Sequence, residues 1–96
     1  MRVRWTSKAL SDLLRLHEFL AVSNRPAAAR VIKALTTAAG ALAANPRIGE
    51  RLAEFEPGEV RRLLVGQHEM RYEIVPSEIV GSDIVVLRLW HTREER

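Results

Sequence analysis

The spacing of apolar residues changes near residue 58, and this change constrains the fold more than any other feature of the chain. Before it, apolar side chains recur every three or four residues, which is typical of amphipathic helices. After it they alternate with polar ones, as Met70, Tyr72 and Ile74 do, which is typical of half-buried strands. Helices followed by strands predict an α+β domain in which one sheet packs against the helices.

Two helices are predicted in the first half, over residues 8–22 and 27–44. Thr6 or Ser7 can cap the first helix by accepting hydrogen bonds from its unpaired N–H groups. Pro26 fits the first turn of the second helix, where its missing N–H is not needed. Pro46 moves Asn45 out of helical geometry and so ends that helix. Two helices joined by so short a connection form an antiparallel hairpin.

Four strands are predicted, over residues 2–5, 59–65, 68–75 and 84–91, with residues 45–58 as a loop. Gly66-Gln67 fits a tight two-residue turn between the second and third strands. The last strand is apolar on both faces, which predicts a central strand covered on both sides. We therefore expect an N-terminal strand, an antiparallel helical hairpin, and then a three-stranded antiparallel meander, all forming one small sheet.

Composition excludes several classes of protein. A length of 96 residues predicts a single domain over residues 1–96. The absence of cysteine excludes disulfides and thiolate metal sites, and the three histidines lack metal-ligand spacing, so no cofactor is expected. No apolar run approaches the roughly 18–20 residues of a membrane span, and no signal peptide is apparent, which predicts a cytoplasmic protein. A net charge of +3 does not predict a nucleic-acid module and equally suits an acidic protein partner.

The proposed turn at residues 66–67 places two arginines, Arg62 and Arg71, directly opposite one another on one strand face. Such a pair is mildly unfavourable. Either Glu69 and Glu73 on the same face compensate it, or the pair binds an anion, because guanidinium groups grip carboxylates and phosphates with two hydrogen bonds. Both readings stay open from the sequence.

Arg61 lies on the other face of the same strand, opposite Tyr72. If that face packs on the helices, Arg61 sits at its edge and needs a partner. We expect Glu18 or Asp12 to supply it.

The last strand ends in Trp90 and His91, which point to opposite faces because successive strand residues alternate. Trp90 is expected to pack at the edge of the core. His91 is either a hydrogen-bonded structural residue or an acid or base, since histidine titrates near neutral pH. His68, at the turn, is expected to be exposed.

Several short segments resemble one protein family when taken in this order and at this chain length. They are Val3-Arg4-Trp5-Thr6 with Ala9, Asp12-Leu13, residues 24–29, Leu42 with Asn45-Pro46-Arg47-Ile48-Gly49, Val60-Arg61-Arg62-Leu63, Met70-Arg71-Tyr72-Glu73-Ile74, and residues 86–94. Over essentially its whole length the chain resembles the RelE/ParE toxins of bacterial type II toxin–antitoxin modules. The resemblance implies a cognate antitoxin that wraps the toxin and through which alone this chain reaches operator DNA.

The family holds two activities. RelE-like members cut messenger RNA on the ribosome without metal, and the 2′-hydroxyl attacks the adjacent phosphate with help from cations and an acid or base. For this chain that activity implies Arg61, Arg71 and His91 as catalytic residues. The chain departs from this pattern because lysine occurs only at Lys8 and Lys33 and no tyrosine follows His91.

ParE-like members instead inhibit DNA gyrase by trapping its cleaved-DNA complex. The segments 70–72 and 89–93 resemble this branch more closely, so a gyrase inhibitor is the favoured function. A third alternative is an inactive member that only binds its antitoxin and acts as a co-repressor. The resemblance implies the target-binding residues Arg61, Arg71, Trp90, His91 and Arg93.

Overall fold

A computed structural model describes residues 1–79 and 81–94 of the chain. Its helices are α1 (Ser7–Ser23) and α2 (Arg25–Ala41). Its strands are β1 (Arg2–Trp5), β2 (Glu50–Arg51), β3 (Glu59–Val65), β4 (His68–Ser77) and β5 (Gly81–His91). A single turn of 3-10 helix at Ala53–Phe55 lies between β2 and β3. The predicted α+β fold is confirmed, with one more strand than expected.

The helix boundaries follow from their caps. The Thr6 side chain accepts a hydrogen bond from the backbone N–H of Ala9 and so begins α1. Asn24 ends α1 and also caps α2, where its side chain accepts from the N–H of Ala27. The second helix ends at Ala41, three residues earlier than predicted. Residues 42–44 instead form tighter turns in which each N–H bonds the carbonyl three residues before it.

The five strands form one sheet in the order β1-β5-β4-β3-β2. Strands β3, β4 and β5 are the predicted antiparallel meander, and β3 and β4 pair in the predicted register, with Arg62 opposite Arg71 and Val65 opposite His68. Gly66 takes a φ of 60° in the turn between them, a conformation that glycine adopts without steric cost. The sequence patterns indicated neither the two-residue strand β2 nor the parallel pairing of β1 with β5.

A β-bulge in β5 changes which of its residues face the helices. Arg71 lies opposite Arg88, whereas its neighbour Tyr72 lies opposite Val86, so Leu87 is the extra residue. Val86 and Leu89 consequently both point toward the helices, although they are three residues apart. The bulge explains why β5 appears apolar on both faces. The expectation of cover on both sides is wrong, because the helical hairpin packs on one face only.

The core lies between the hairpin and the sheet face that it covers. The sheet contributes the buried residues Met70, Tyr72, Ile74, Ile84, Val86 and Leu89. The helices contribute Ala9, Leu16, Leu35 and Ala39, and Leu42 follows directly after α2. We call this the helix-covered face and the opposite one the open face. In the described part of the chain, neither helix has the length and apolar character that crossing a membrane requires.

Side chains of α1 and of its cap residue Thr6 complete the edge of β5 beyond the point where β1 ends. The Thr6 hydroxyl donates to the carbonyl of Leu87 at 2.8 Å, and the N–H of Leu89 donates to the Asp12 carboxylate at 2.9 Å. A guanidinium nitrogen of Arg15 donates to the carbonyl of Leu89 at 3.3 Å. These bonds satisfy backbone groups that would otherwise lie unpaired at the sheet edge. They also hold α1 over the C-terminal end of β5, where several predicted site residues lie.

Candidate functional site

Three arginines lie in a row across the open face. The register places Arg62 of β3 opposite Arg71 of β4, and Arg71 opposite Arg88 of β5. The Arg62–Arg71 pair was predicted from the turn at residues 66–67. Arg88 was not, because its position depends on the bulge at Leu87.

A buried acid compensates the Arg62–Arg71 pair. The side chain of Glu69 is only 1% exposed, and its carboxylate lies 3.3 Å from Arg71 and 3.7 Å from Arg62. Arg62 also makes two hydrogen bonds, of 3.0 and 3.1 Å, to Glu50 on the edge strand β2. The row therefore carries its own counter-charges, which confirms the role predicted for Glu69 and adds Glu50.

The guanidinium group of Arg71 stacks on two aromatic rings. Its central carbon lies 4.8 Å from the ring centroid of Trp90 and 5.2 Å from that of Phe55. These separations are within the range of cation–π attraction. Its Nε atom is buried and has no hydrogen-bond partner among the described residues. Stacking thus holds the Arg71 side chain in place. The exposed part of this side chain, 23% of its surface, faces outward on the open face.

Arg61 points away from this row and holds a loop. Its Nε donates to Glu59 at 2.9 Å, and its Nη1 donates to the carbonyl of Gly49 at 2.7 Å. Arg47 forms a two-bond pair with the same glutamate, at 2.9 and 3.0 Å. Burial acts to raise the pKa of Glu59, but the hydrogen bonds from Arg47 and Arg61 outweigh it and lower that pKa. The predicted partners of Arg61, Glu18 and Asp12, are wrong.

Asp12 instead joins α1 to β5. It accepts hydrogen bonds from Arg88 at 2.8 and 3.2 Å and from Arg15 at 3.3 Å, besides the N–H of Leu89. Burial acts to raise its pKa, but the bonds from Arg88 and Leu89 lead a net lowering. A side chain 6% exposed therefore stays ionised because its partners surround it.

Tyr72 fastens the loop after α2 to the sheet. Its buried hydroxyl donates to the carbonyl of Pro46 at 2.7 Å and accepts from the N–H of Gly49 at 3.0 Å. Burial raises the pKa of this hydroxyl above its ordinary value, so it remains protonated. A Cβ atom on Gly49 would lie 2.7 Å from both that hydroxyl and the carbonyl oxygen of Arg62. The Asn45–Gly49 segment is thus a structural clasp that requires glycine at its end.

His68 and His91 form a pair at the opposite end of the β3–β4 hairpin from this clasp. They lie opposite one another on β4 and β5, and their rings meet edge to face with 5.2 Å between centroids. His68 is 7% exposed, so the expectation that it is exposed at the turn is wrong. Burial, together with the neighbouring His91, lowers the pKa of His68, and Glu94 opposes this shift.

The histidine pair forms the floor of an apolar groove, which we call the end groove. One part, about 490 Å³ in volume, lies against α1 and the residues after β5, and a second part of about 400 Å³ lies against α2. Both parts share Leu20, His68 and His91. Phe19, on its wall, is 76% exposed, which is unusual for so large an apolar side chain. The charged residues lining the groove are Arg15, Arg30, Arg93 and Glu94.

The five residues predicted to bind a target lie in three places. Arg71 and Trp90 are together on the open face. Arg61 is at the clasp, where its side chain is 14% exposed. His91 and Arg93 line the end groove. Phe55, Arg88 and Phe19 belong to these surfaces but had no sequence signal, because tertiary contacts alone bring them there. Among residues 1–79 and 81–94, no group of three or more metal-ligating side chains comes together.

Comparison with known proteins adds a family and a fold relative. The family model described as the ParE toxin of the type II toxin–antitoxin system, parDE, matches residues 3–96. A solved chain of the chromosomal ParDE toxin–antitoxin system from P. aeruginosa is similar in fold, with a TM-score of 0.73 and 22% sequence identity. That match covers 97% of each chain. A search of the curated proteins found no match.

Proposed function

The chain belongs to the ParE toxin family of type II toxin–antitoxin systems, and on this premise we propose that it inhibits DNA gyrase by binding and trapping the cleaved-DNA complex. In this proposal the toxin acts in the bacterial cytoplasm and a cognate antitoxin neutralises it. It reaches operator DNA only through that antitoxin.

We favour a target-binding protein over a ribonuclease because the three candidate catalytic residues lie apart from one another. Transesterification of RNA needs a cation at the phosphate and an acid or base within hydrogen-bond reach of the same reacting atoms. Arg71 lies on the open face, whereas Arg61 and His91 lie on the helix-covered side of β3 and β5. The His91 ring already contacts Gln67 and the backbone N–H of Arg93. This geometry favours a protein that acts through surface contacts.

We assign the principal contact with the target to the open face around Arg71 and Trp90. Stacking fixes the Arg71 guanidinium on a rigid sheet, so little side-chain entropy is lost when a partner binds it. Arginine is one of the residue types that most often dominate protein interfaces, and Trp90, itself only 6% exposed, supports it from below. Arg93 and His91 form a second contact at the end groove. Arg61 acts as a positioning residue that holds the clasp.

We assign the end groove to the antitoxin. Its lining is largely apolar, and the exposed Phe19 would be covered by a bound segment. Three arginines against one glutamate at its edge complement an acidic partner. An amphipathic helix laid into such a groove is a common mode of peptide recognition.

A cleavage assay with purified gyrase, supercoiled plasmid and ATP tests the target. We expect the toxin to produce linear DNA that is released on protein denaturation. Arg71→Ala should require about tenfold more toxin for the same cleavage, the effect of one interface contact worth about 1.4 kcal/mol. Arg25→Ala, on α2 in the helical layer, is the matched control and should behave as the unsubstituted toxin.

Two outcomes would overturn this proposal. Folded toxin that leaves supercoiling unchanged and yields no linear DNA excludes the gyrase target, and cleavage of ribosome-bound messenger RNA would then identify the alternative. Equal potency of Arg71→Ala and Arg25→Ala would place the target contact elsewhere on the surface.

A further inference from the structure

The residues after β5 fold back against the histidine pair. The N–H of Thr92 donates to the carbonyl of Gln67 at 2.9 Å, and the N–H of Glu94 donates to the carbonyl of His91 at 2.9 Å. The Glu94 carboxylate accepts from the N–H of His91 at 3.0 Å and from Arg15 of α1 at 2.6 Å. Residues 92–94 thereby form one wall of the end groove, with Arg93 and Glu94 lining it.

One of the bonds that hold the wall requires an uncharged His91 ring. The N–H of Arg93 lies 3.1 Å from His91 Nδ1, which can accept this bond only when it carries no proton. The proton of the neutral ring is then on Nε2, which donates to the Gln67 side chain at 3.2 Å. A protonated ring has two donors and no acceptor, so its bond to Arg93 is lost.

The surroundings of the pair disfavour a charged His68 ring: burial lowers its pKa most, the neighbouring His91 adds to this, and Glu94 opposes it. Charged groups face the pair from every packed element: Arg15 from α1, Arg30 from α2, and Arg93 and Glu94 from the wall. Three cations stand against one carboxylate, and Arg15 already binds that carboxylate. Protonating one ring further disfavours protonating the other, whose centroid is 5.2 Å away.

We propose that the His68–His91 pair is a proton-operated latch: a neutral His91 ring holds Arg93 in the wall of the end groove, and protonation releases Arg93 and weakens antitoxin binding. The inference rests on the proposed docking of the antitoxin in this groove. A bound segment that lays its apolar face on the groove excludes water from both rings and so favours their neutral forms, while its acidic groups pair with the arginines at the edge. Acidification then competes with the partner, because the free toxin takes up a proton that the complex does not hold.

Proton NMR titration of the free toxin tests the latch without any partner. We expect the backbone amide signals of Arg93 and Glu94 to shift as the His91 ring titrates. In His91→Asn the amide oxygen replaces Nδ1 as an acceptor but does not titrate, so the wall should persist at low pH. The control His17→Asn, on an exposed histidine of α1, should titrate as the unsubstituted chain. The latch would be overturned if the amide signals of Arg93 and Glu94 did not shift when the His91 ring is protonated. It would also be overturned if these signals shifted equally in His91→Asn.

Calorimetric titration of the toxin with the full-length antitoxin from its own operon tests whether protonation weakens antitoxin binding. We expect the Kd to rise as the pH falls from 7.5 to 5.0, by at most about tenfold for each pH unit, which is the limit for one excluded proton. This dependence should disappear in His91→Asn and remain in His17→Asn. A constant Kd across this range would refute the latch while leaving the docking site intact. Unchanged affinity of Phe19→Glu would instead show that the antitoxin binds elsewhere.

Discussion

Substitution of the buried Asp12 is expected to cost more stability than a change at any exposed position of α1. Its carboxylate accepts from the N–H of Leu89 at 2.9 Å and from Arg88 at 2.8 and 3.2 Å. Hydrogen bonds to a charged group contribute about 1.5–3 kcal/mol each, and an unsatisfied buried donor costs about 1–3 kcal/mol. The contribution of the Arg88–Asp12 hydrogen bonds to stability is smaller than this, because the Arg88 side chain is 45% exposed and water can take the place of Asp12.

These magnitudes predict different losses of stability for Asp12→Asn and Asp12→Ala. Asp12→Asn keeps one acceptor oxygen for Leu89 but loses the charge, so we expect a loss of about 2 kcal/mol in the free energy of unfolding. Asp12→Ala also leaves the N–H of Leu89 without a partner, and we expect about 4 kcal/mol. Urea unfolding at pH 7 measures both. Glu18→Gln, at an exposed position on the same helix, is the control and should change stability by less than about 0.5 kcal/mol.

The pH dependence gives an independent check on the same residue. The pKa of Asp12 is lower in the folded protein than the ordinary value of 3.8, so the unfolded chain binds more protons at low pH. The stability contributed by Asp12 is therefore present above pH 3.8 and is lost as the pH falls through the lower, folded value. The stability gap between the unsubstituted chain and Asp12→Asn should narrow over that window. A loss for Asp12→Ala below about 1 kcal/mol, or a gap that stays constant with pH, would refute this account.

Three further substitutions test other parts of the fold. Tyr72→Phe removes both hydroxyl bonds of the clasp and should cost about 1–3 kcal/mol in urea unfolding, because the N–H of Gly49 then lacks its partner. Gly49→Ala should cost more than about 1 kcal/mol, since its Cβ would lie 2.7 Å from two oxygens; an unaltered thermal midpoint would contradict the close approach. Gly40→Ala should instead stabilise the protein by about 0.5–1 kcal/mol, because this exposed helix position has open space for a methyl group. A lower thermal midpoint for Gly40→Ala would show that a methyl group at position 40 strains α2.

The elements and the β3–β4 register could be predicted because local signals determine them. Thr6 and Pro26, from which the helix starts were predicted, lie at the first turns that they define. Gly66-Gln67 determines how β3 and β4 align, since a two-residue turn leaves one register. The opposed Arg62 and Arg71 followed directly from that register.

The candidate site was predicted less completely. Trp90 and Arg71 were predicted as target-binding residues, but their stacking and the contribution of Phe55 depend on how the segment between β2 and β3 folds over the open face. Burial of His68 was missed because the groove around it is built by residues of both helices and of the wall after β5, which are distant along the chain. The role of Arg61 was unexpected, since its partner Glu59 lies two residues away on its own strand.

Local chain chemistry is enough to specify two helices, the strands and one hairpin, because each depends on residues within a few positions of one another. The bulge at Leu87 is different. It accompanies hydrogen bonds from Thr6, Asp12 and Arg15, which lie more than 70 positions away along the chain. A backbone donor or acceptor at a sheet edge must find a partner somewhere in the fold. For β5, the residues that supply these partners reach the strand only when α1 packs across the sheet. The tertiary structure therefore decides which face of β5 carries Arg88 and Trp90.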